Sequence, residues 1–290
     1  MFHALDALLT LLDLEPLEVN IYRGQNRDLG TGRVYGGQVF AQALVAAKRT
    51  VGDNREAHSA HGYFILPGDL SAPIVYFVDR LRDGSSFTTR RVTAIQHGQA
   101  IFNLSASFHI VEEGPAHQSE MPAAPHPDTL TPELETIRAM ADRIPEALRS
   151  VLTQERPIDV RPVDPIDPLH SPVAAPVRRA WFRADGRLPD APWIHQAILA
   201  YASDYGLLVT ALQPHGIPYR TKGLQLASLD HSLWMHRPFR ADEWLLYTTD
   251  SPVTWGARGF VRGTIHSQSG DLVASVAQEG LIRLRKTESR

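Results

Sequence analysis

One acidic residue stands inside the most apolar stretch of the chain. Residues 193–212 (WIHQAILAYASDYGLLVTAL) contain no Lys, Arg or Glu, and their single carboxylate is Asp204. In a helix of about 100° per residue, Asp204 lies near Ala197, Ala200 and Leu208, which offer no polar stripe. An ionised carboxylate is costly to bury alone, so such a group is paired, protonated or functional. Asp204 is therefore a candidate general base.

Two polar side chains on predicted strands could meet Asp204. In the segment DLVASVAQEGLIRLR, alternation with period two places Gln278 on the same face as Ala274 and Val276. In GLQLASLD, the same alternation gives Ser228 the face of the two preceding leucines. Either residue alone is typical of an ordinary buried polar group. Together with Asp204 they supply a carboxylate, a hydroxyl and an amide, which can hold a water molecule and accept its proton.

The elements that must position these groups occur twice along the chain. An apolar helix that begins at Gly36 or Gly37 and ends near Arg49 precedes four predicted strands, and residues 193–212 precede four more. The first set is HGYFILPG, APIVYFVDRLRDG, SFTTRRVTAIQHG and QAIFNLSASFHIVEE; the second is GLQLASLDHSLWMH, EWLLYTTDSP, ARGFVRGTIHSQSG and DLVASVAQEGLIRLR. A nearly constant offset relates the two sets, which favours tandem duplication. A helix that is apolar nearly all round predicts burial by a surrounding sheet, so the fold class is α+β.

A proline-rich segment separates the two repeats. Twelve of the 21 prolines lie between Pro115 and Pro176, and proline disfavours both helix interiors and central strands. We therefore divide the chain into an N-terminal unit (1–111), a connector (112–176) and a C-terminal unit (177–290) that carries the candidate residues. Within the connector, residues 133–152 have helical spacing, and Pro145 should kink or split that helix.

Long ordered strings in both halves resemble one enzyme family. LAYASDYGLL, LASLDHSLWMHRPF and ARGFVRGTIHSQSGDLVASVAQEGLIR closely resemble the acyl-CoA thioesterase II family, and so do RVYGGQVFAQALVAA, HGYFILPGD and LRDGSSFTTRRVTAIQHGQAIFNLSASF. The resemblance covers nearly the whole chain. It implies a tandem (double) hot-dog fold and hydrolysis of acyl-CoA to fatty acid and CoA. The family's Asp, Ser or Thr, and Gln correspond to Asp204, Ser228 and Gln278.

The chemistry of a thioester agrees with this resemblance. A positioned water molecule can attack a thioester carbonyl directly, with Asp204 as general base and with an apolar site that raises its pKa. Ser228 and Gln278 would orient the water, and the oxyanion donors are either backbone N–H groups or the Gln278 amide. A covalent acyl-enzyme through Ser228 is less attractive because the sequence places no His to activate it. Many bacterial members have Thr at this position, so Ser228 should alter rate more than reaction type.

The N-terminal repeat carries no second copy of these residues. When the two strand sets are superposed, Ser228 falls on His58 and Gln278 falls on Ser107. The helix at residues 37–47 has Gln38 but no acid. The sequence therefore predicts one catalytic site per chain, in the C-terminal unit.

Two alternative functions stay open at this stage. A non-catalytic acyl-CoA-binding protein could use the same scaffold. An enoyl-CoA hydratase on this scaffold would need a His beside the acid, and no candidate accompanies Asp204 in the sequence. Release of free thiol from an acyl-CoA separates both alternatives from the hydrolase.

Composition and charge limit the remaining classes. A formal net charge of −3 disfavours nucleic-acid binding, and the absence of cysteine excludes thiolate nucleophiles and iron–sulfur clusters. His58 with His61, and His231 with His236, lack the spacing and the acids of a metal site, so we expect no metal and no cofactor. The sequence contains no run of about 18 apolar residues, so we predict no membrane-spanning helix.

The expected partners and compartment follow from the same sequence. We expect acyl-CoA as the substrate partner and, by analogy alone, a homo-oligomer. The first residues lack the basic region of a signal peptide, and the ending RKTESR lacks a peroxisomal address. The predicted localisation is cytoplasmic.

Overall fold

The computed structural model describes residues 4–30, 32–165, 171–219 and 221–285. Its α-helices are Ala4–Leu12 (α1), Gly36–Lys48 (α2), Glu133–Ala139 (α3), Glu146–Leu152 (α4), Pro192–Ser203 (α5) and Val209–Leu212 (α6). Its strands are Glu15–Glu18 (β1), Ile21–Gly24 (β2), Glu56–Phe64 (β3), Ile74–Asp83 (β4), Phe87–Gln96 (β5), Gln99–His109 (β6), Ile158–Pro162 (β7), Val177–Ala184 (β8), Leu224–Ser228 (β9), Asp230–Met235 (β10), Leu245–Trp255 (β11), Arg258–Ser267 (β12) and Leu272–Leu284 (β13).

The strands form one antiparallel sheet that runs through both halves of the chain. Its order is β1-β2-β4-β5-β6-β3-β10-β13-β12-β11-β8-β7, and β9 also pairs with β13. The order β2-β4-β5-β6-β3 in the first half mirrors β8-β11-β12-β13-β10 in the second. The halves meet where β3 pairs with β10, from Tyr63 opposite Asp230 to Ser59 opposite Trp234. The predicted repeat of elements is confirmed.

Each half of the sheet packs against a buried helix. In α2, all eleven residues from 37 to 47 are buried, as expected for a helix that is apolar all round. In α5, residues 197–203 are buried in the same way. The start of α2 contacts the end of α5, because a Cβ atom added to Gly37 would collide with the carbonyl oxygen of Tyr201. The α+β class, with a sheet around an apolar helix in each half, is confirmed.

The helix predicted over residues 193–212 is interrupted, and that prediction was wrong in its length. Helix α5 ends at Ser203, Asp204 is its C-cap, and α6 resumes only at Val209. Gly206 lies between them with φ = +67°, a left-handed conformation that glycine adopts without steric cost and that cannot continue a helix. Asp204 therefore stands at a helix end, where its side chain is free to leave the helix packing.

The connector folds in two parts that pack on opposite sides of the C-terminal half. Its first part lies on a small cluster of Trp181, Trp244 and Leu246, separate from the main core, and its Pro125 carbonyl accepts a hydrogen bond from Trp181 Nε1 at 2.9 Å. Its second part holds α3 and α4, and Pro145 is the N-cap of α4. The predicted split of the connector helix at this proline is confirmed. The unit boundaries at 111 and 176 stay predictions.

The pairing register corrects the matched positions of the two repeats. Strand β6 buries Ala106 and Phe108, as β13 buries Gln278 and Gly280. Partners across the sheet are Ala57 with Phe108 and Ala60 with Ala106 in one half, and Ser228 with Gly280 in the other.

Matching these buried faces pairs Ser228 with Ala57, Gln278 with Ala106 and His231 with Ala60. The earlier match of Ser228 to His58 and Gln278 to Ser107 was wrong by one residue in each strand. A one-residue slip moves a side chain to the other face of a sheet, so the buried faces and not the sequence offset fix the match.

None of the helices in the described residues is long and apolar enough to cross a bilayer.

Candidate active site

A large cavity opens beside the contact between the two helices. Its volume is about 1350 Å³, which exceeds the usual size of small-molecule pockets. All three parts of the chain line it: Gly36 and Phe64 come from the first half, Leu148 from the connector, and Asp204 and Gln278 from the second half. The cavity therefore requires both repeats and the connector together.

The structure brings the three predicted side chains together on one wall of this cavity. Ser228 Oγ lies 3.5 Å from Asp204 Oδ1. Gln278 Nε2 donates a hydrogen bond of 2.9 Å to Ser228 Oγ, and the same amide hydrogen-bonds the Asp204 carboxylate. Because Asp204 is the C-cap of α5 while the other two residues lie on adjacent strands β9 and β13, the helix end is aimed at the strand pair.

Burial raises the pKa of Asp204 from its ordinary value of 3.8 to about 6. Three hydrogen bonds act in the opposite direction and favour the charged form: from the Gln278 amide, the backbone N–H of Gly37 and the Ser228 hydroxyl. The same environment raises the pKa of the Tyr35 and Tyr247 hydroxyls, through burial and through the nearby Asp204 charge. Asp204 is thus ionised near neutral pH and basic enough to accept a proton.

Part of the carboxylate's support comes from the first half of the chain. Helix α2 begins beside Tyr35, whose side chain does not cap it, and the N–H of Gly37 donates to Asp204 instead. A Cβ atom on Gly36 would lie 2.9 Å from Asp204 Oδ2, so only glycine permits this approach. The positive end of the helix dipole also favours an anion here.

This contact is not predicted from the sequence. Its only local signal is the Gly-Gly pair that opens an apolar helix, and a pair of glycines does not say which distant group approaches it.

His231, which the sequence pattern disfavoured as a metal ligand, lies directly behind Gln278. His231 is fully buried, and its Nδ1 contacts Gln278 Oε1. Its Nε2 lies 2.8 Å from Ser203 Oγ. Burial lowers the pKa of His231 to about 4, so the imidazole is neutral at physiological pH. The sequence signal is the LDHS string, in which His231 follows Ser228 by three residues across the break between β9 and β10.

Comparison with known proteins assigns the family. A family model described as acyl-CoA thioesterase matches residues 148–281, and a model of the acyl-CoA thioesterase N-terminal domain matches residues 26–109. Acyl-CoA thioesterase 2 of Haemophilus influenzae is 41% identical over 98% of this chain and 99% of its own length. The chain belongs to the acyl-CoA thioesterase family. The recognition made from the sequence strings is confirmed, and so is the enzyme class, an acyl-CoA thioester hydrolase.

Other relatives and solved structures agree with this assignment. Human acyl-coenzyme A thioesterase 8 is 41% identical over 95% of this thioesterase and 88% of its own length. The crystal structure of acyl-CoA thioesterase II TesB2 from Mycobacterium marinum is 43% identical, covers 96% of this chain and 99% of that one, and has a TM-score of 0.79. A hot-dog protein from Alicyclobacillus acidocaldarius has a TM-score of 0.78 at 18% identity, which shows the fold alone. The predicted tandem hot-dog fold is confirmed.

The connector contributes side chains to the wall of the cavity, which is not predicted from the sequence. Ile144, Leu148 and Val151 all line the large cavity. Gly30, from the loop before α2, packs so closely on Val151 that a Cβ atom there would overlap its side chain. The connector therefore supplies apolar wall to the same cavity that holds Asp204.

The donor set of the site suits an organic substrate and water. In the part of the chain that the structure describes, no group of three or more His, Asp or Glu side chains is arranged to hold a metal ion. The absence of a metal or cofactor stays a prediction.

Proposed function

We propose that this thioesterase hydrolyses fatty acyl-CoA to a free fatty acid and CoA, with Asp204 as general base for direct attack by water. The observation that carries the proposal is the Asp204 carboxylate itself. It lines the cavity, its pKa is raised to about 6, and Ser228 and Gln278 hydrogen-bond it. The names and sequence identities of the relatives support acyl-CoA as the substrate.

In the first step, Asp204 accepts a proton from water as the water oxygen bonds to the thioester carbonyl carbon. The carbon–sulfur bond then breaks, and the sulfur leaves with the proton that Asp204 returns. The products are the carboxylic acid and the thiol of CoA. Ser228 and Gln278 hold the water and the carboxylate in line, which lowers the entropy cost of the attack.

We assign the oxyanion to the N-terminal end of α2 rather than to the Gln278 amide. The amide of Gln278 already donates to Ser228 and Asp204. In α2 the N–H groups of Gln38 and Val39 bond to the Tyr35 carbonyl oxygen, and that of Gly37 donates to Asp204. We therefore assign the oxyanion to the Gly36 N–H, where the helix dipole also favours negative charge. Gly36 begins α2 at the cavity wall.

A covalent route through Ser228 has less support. The hydroxyl of Ser228 contacts Asp204 and Gln278, while His231 contacts Gln278 and Ser203. Among the residues that the structure describes, no imidazole contacts Ser228 as the base of a nucleophilic dyad would. The same placement disfavours an enoyl-CoA hydratase, whose His would have to face the substrate beside Asp204.

The test follows the wild-type enzyme through a single turnover of a fatty acyl-CoA, starting with palmitoyl-CoA and a shorter chain. We expect free thiol and free acid to appear together, with the intact mass of the protein unchanged at every quench time. A burst of thiol with an acyl adduct on the protein would overturn water attack in favour of an acyl-enzyme. Binding without thiol release at any chain length would overturn the hydrolase, and hydration of an enoyl-CoA without thiol release would indicate the hydratase.

A further inference from the structure

The candidate catalytic groups are the end of a longer chain of hydrogen bonds. Ser203 Oγ lies 2.8 Å from His231 Nε2, and His231 Nδ1 contacts Gln278 Oε1. Gln278 Nε2 then donates to Ser228 Oγ, which lies 3.5 Å from Asp204 Oδ1. The chain runs from a fully buried serine at the end of α5 to the carboxylate at the cavity wall. The orientation of each side chain is therefore fixed by its hydrogen bond to the preceding one.

The donors in this chain all point towards Asp204. Gln278 Oε1 can only accept, so the neutral imidazole of His231 carries its proton on Nδ1 and leaves Nε2 as an acceptor for the Ser203 hydroxyl, 2.8 Å away. The carbonyl oxygen of Ala200, 3.0 Å from Ser203 Oγ, is the other acceptor within reach of that hydroxyl. The His231 Nδ1–H donates to Gln278 Oε1. The amide oxygen is thereby held away from Asp204, and both amide hydrogens are left for Ser228 and Asp204.

We propose that His231 is a positioning residue of the thioesterase reaction, which fixes the orientation of the Gln278 amide. The proposal rests on the proposed function, because it assigns a role to a neighbour of the proposed general base. An amide turned by 180° would present its oxygen to the Asp204 carboxylate and would lose the donor to Ser228. Water would then lack its alignment, although no group that touches substrate had changed.

Two further observations support a specific role for this imidazole. The ring of Phe40 in α2 packs edge-on against it, with 4.8 Å between ring centroids, so the ring plane is fixed by packing. In the first repeat, the position matching His231 is Ala60 and its cross-strand partner is Ala106, which takes the place of Gln278. The imidazole and the amide are thus present together in one half and absent together in the other.

The experiment compares His231→Leu with His231→Asn under saturating acyl-CoA. Leu removes the Nδ1 donor, and we expect kcat to fall about 10- to 100-fold with KM changed less than about threefold. Asn can place its amide N–H where Nδ1–H lies, so we expect it to retain kcat within about fivefold. Rescue by the donor-bearing variant is a result that loss of packing alone would not give.

A double-mutant cycle tests whether His231 acts through Gln278. In the Gln278→Ala background there is no amide to orient, so His231→Leu should lower kcat by less than about twofold further. The matched control is His195→Leu, because His195 is also a buried histidine but contacts the backbone N–H of Ala241 outside the site. We expect that variant to lose stability and to keep kcat.

The outcomes separate this proposal from the proposed function. If the wild type releases thiol, two results would overturn the role of His231 and leave the proposed function standing. One is an unchanged kcat in His231→Leu, and the other is an equal loss of kcat in the Leu and Asn variants. Absence of thiol release by the wild type would overturn the proposed function itself. If His231→Leu does not fold, Ser203→Ala takes its place, since it frees Nε2 to carry the proton; we expect a loss of about three- to tenfold in kcat, and wild-type kcat would contradict the proposal.

Discussion

The two halves of the chain share one strand order but differ on the faces that cover their helices. Where the second half has Ser228, Gln278 and His231, the first half has three alanines at the matching positions. The fold is duplicated while the polar groups are not. The first half instead contributes the N-terminal end of α2, whose Gly37 N–H donates to Asp204. One repeat thus carries the side chains and the other carries the backbone donors.

The two helices differ in the same sense. Helix α2 runs without a break through eleven buried residues, whereas α5 stops at Ser203 and releases Asp204. At the opposite end of the helix pair, where α5 begins, Leu9 and Leu12 of α1 pack near Trp193 and leave a cavity of only about 140 Å³. Apolar side chains therefore nearly fill the end of the helix pair where α5 begins. The end at Asp204 opens onto the large cavity.

The largest effect expected from this comparison is that of Asp204→Asn. The amide keeps the shape of the side chain and removes the proposed general base, so we expect kcat to fall about 10³-fold while KM changes little. Thiol release from acyl-CoA measures the change. Asp250→Asn is the control, because Asp250 is paired with Arg262 in β11–β12 outside the cavity. Equal activity of the two variants would contradict the role of Asp204.

A change in the other half, Gly37→Ala, should have the next largest effect. The added methyl group collides with the backbone oxygen of Tyr201, which cannot move without shifting α5. We expect about 10- to 100-fold loss of kcat and about 1–3 kcal/mol loss of unfolding free energy. Gly114→Ala is the control, since a Cβ atom there meets nothing within 4 Å. Wild-type activity of Gly37→Ala would show that the first half does not contribute to the site.

The pH dependence of kcat/KM also tests the support that the first half gives to Asp204. Because Asp204 must be ionised to accept a proton and its pKa is about 6, kcat/KM should fall about tenfold per pH unit below that value and level off above it. The Gly37 N–H favours the ionised form, and the collision of the added methyl group with the Tyr201 carbonyl oxygen in Gly37→Ala should draw this N–H away from Asp204 and move the midpoint to higher pH. Initial rates between pH 4.5 and 8.5 measure both midpoints. A profile that is flat through pH 6 would exclude Asp204 as the group that titrates.

The smallest effect is expected for Ser228→Thr. Thr keeps the hydroxyl that contacts Asp204 and adds a methyl group that restricts its rotamer, so kcat should change by less than about threefold. Ala57→Ser places the same hydroxyl at the matching position of the first half, and there we expect no change in kcat at all. Thiol-release rates of both variants provide the measurement. A gain of activity in Ala57→Ser would indicate a second working site.

The site residues were accessible from the sequence because their signals are local. An acid in a stretch without other charges, and a polar residue on an otherwise apolar strand face, each violate the pattern around them. Period-two alternation alone placed Gln278 on the buried face, and the structure agrees. The strings shared with the family then added the fold and the enzyme class, which the comparisons confirm.

The features that could not be predicted from the sequence depend on contacts between distant segments. The end of α5 at Ser203 is set by the left-handed Gly206 and by the approach of α2, and the local pattern continues helically through both. His231 looks like an ordinary residue of its strand until Gln278 is placed opposite it. The one-residue error in the first repeat came from matching the strands by sequence offset, which does not show which face of each strand is buried.

The pairing of β3 with β10 also restricts how the protein admits its substrate. The two repeats are joined by a ladder of main-chain hydrogen bonds in the middle of the sheet, and a clamshell motion between them would break that ladder. The short helices α3 and α4 lie outside this ladder, and they line the same cavity as Asp204. We therefore expect entry of the acyl chain to involve displacement of the connector and not separation of the two repeats.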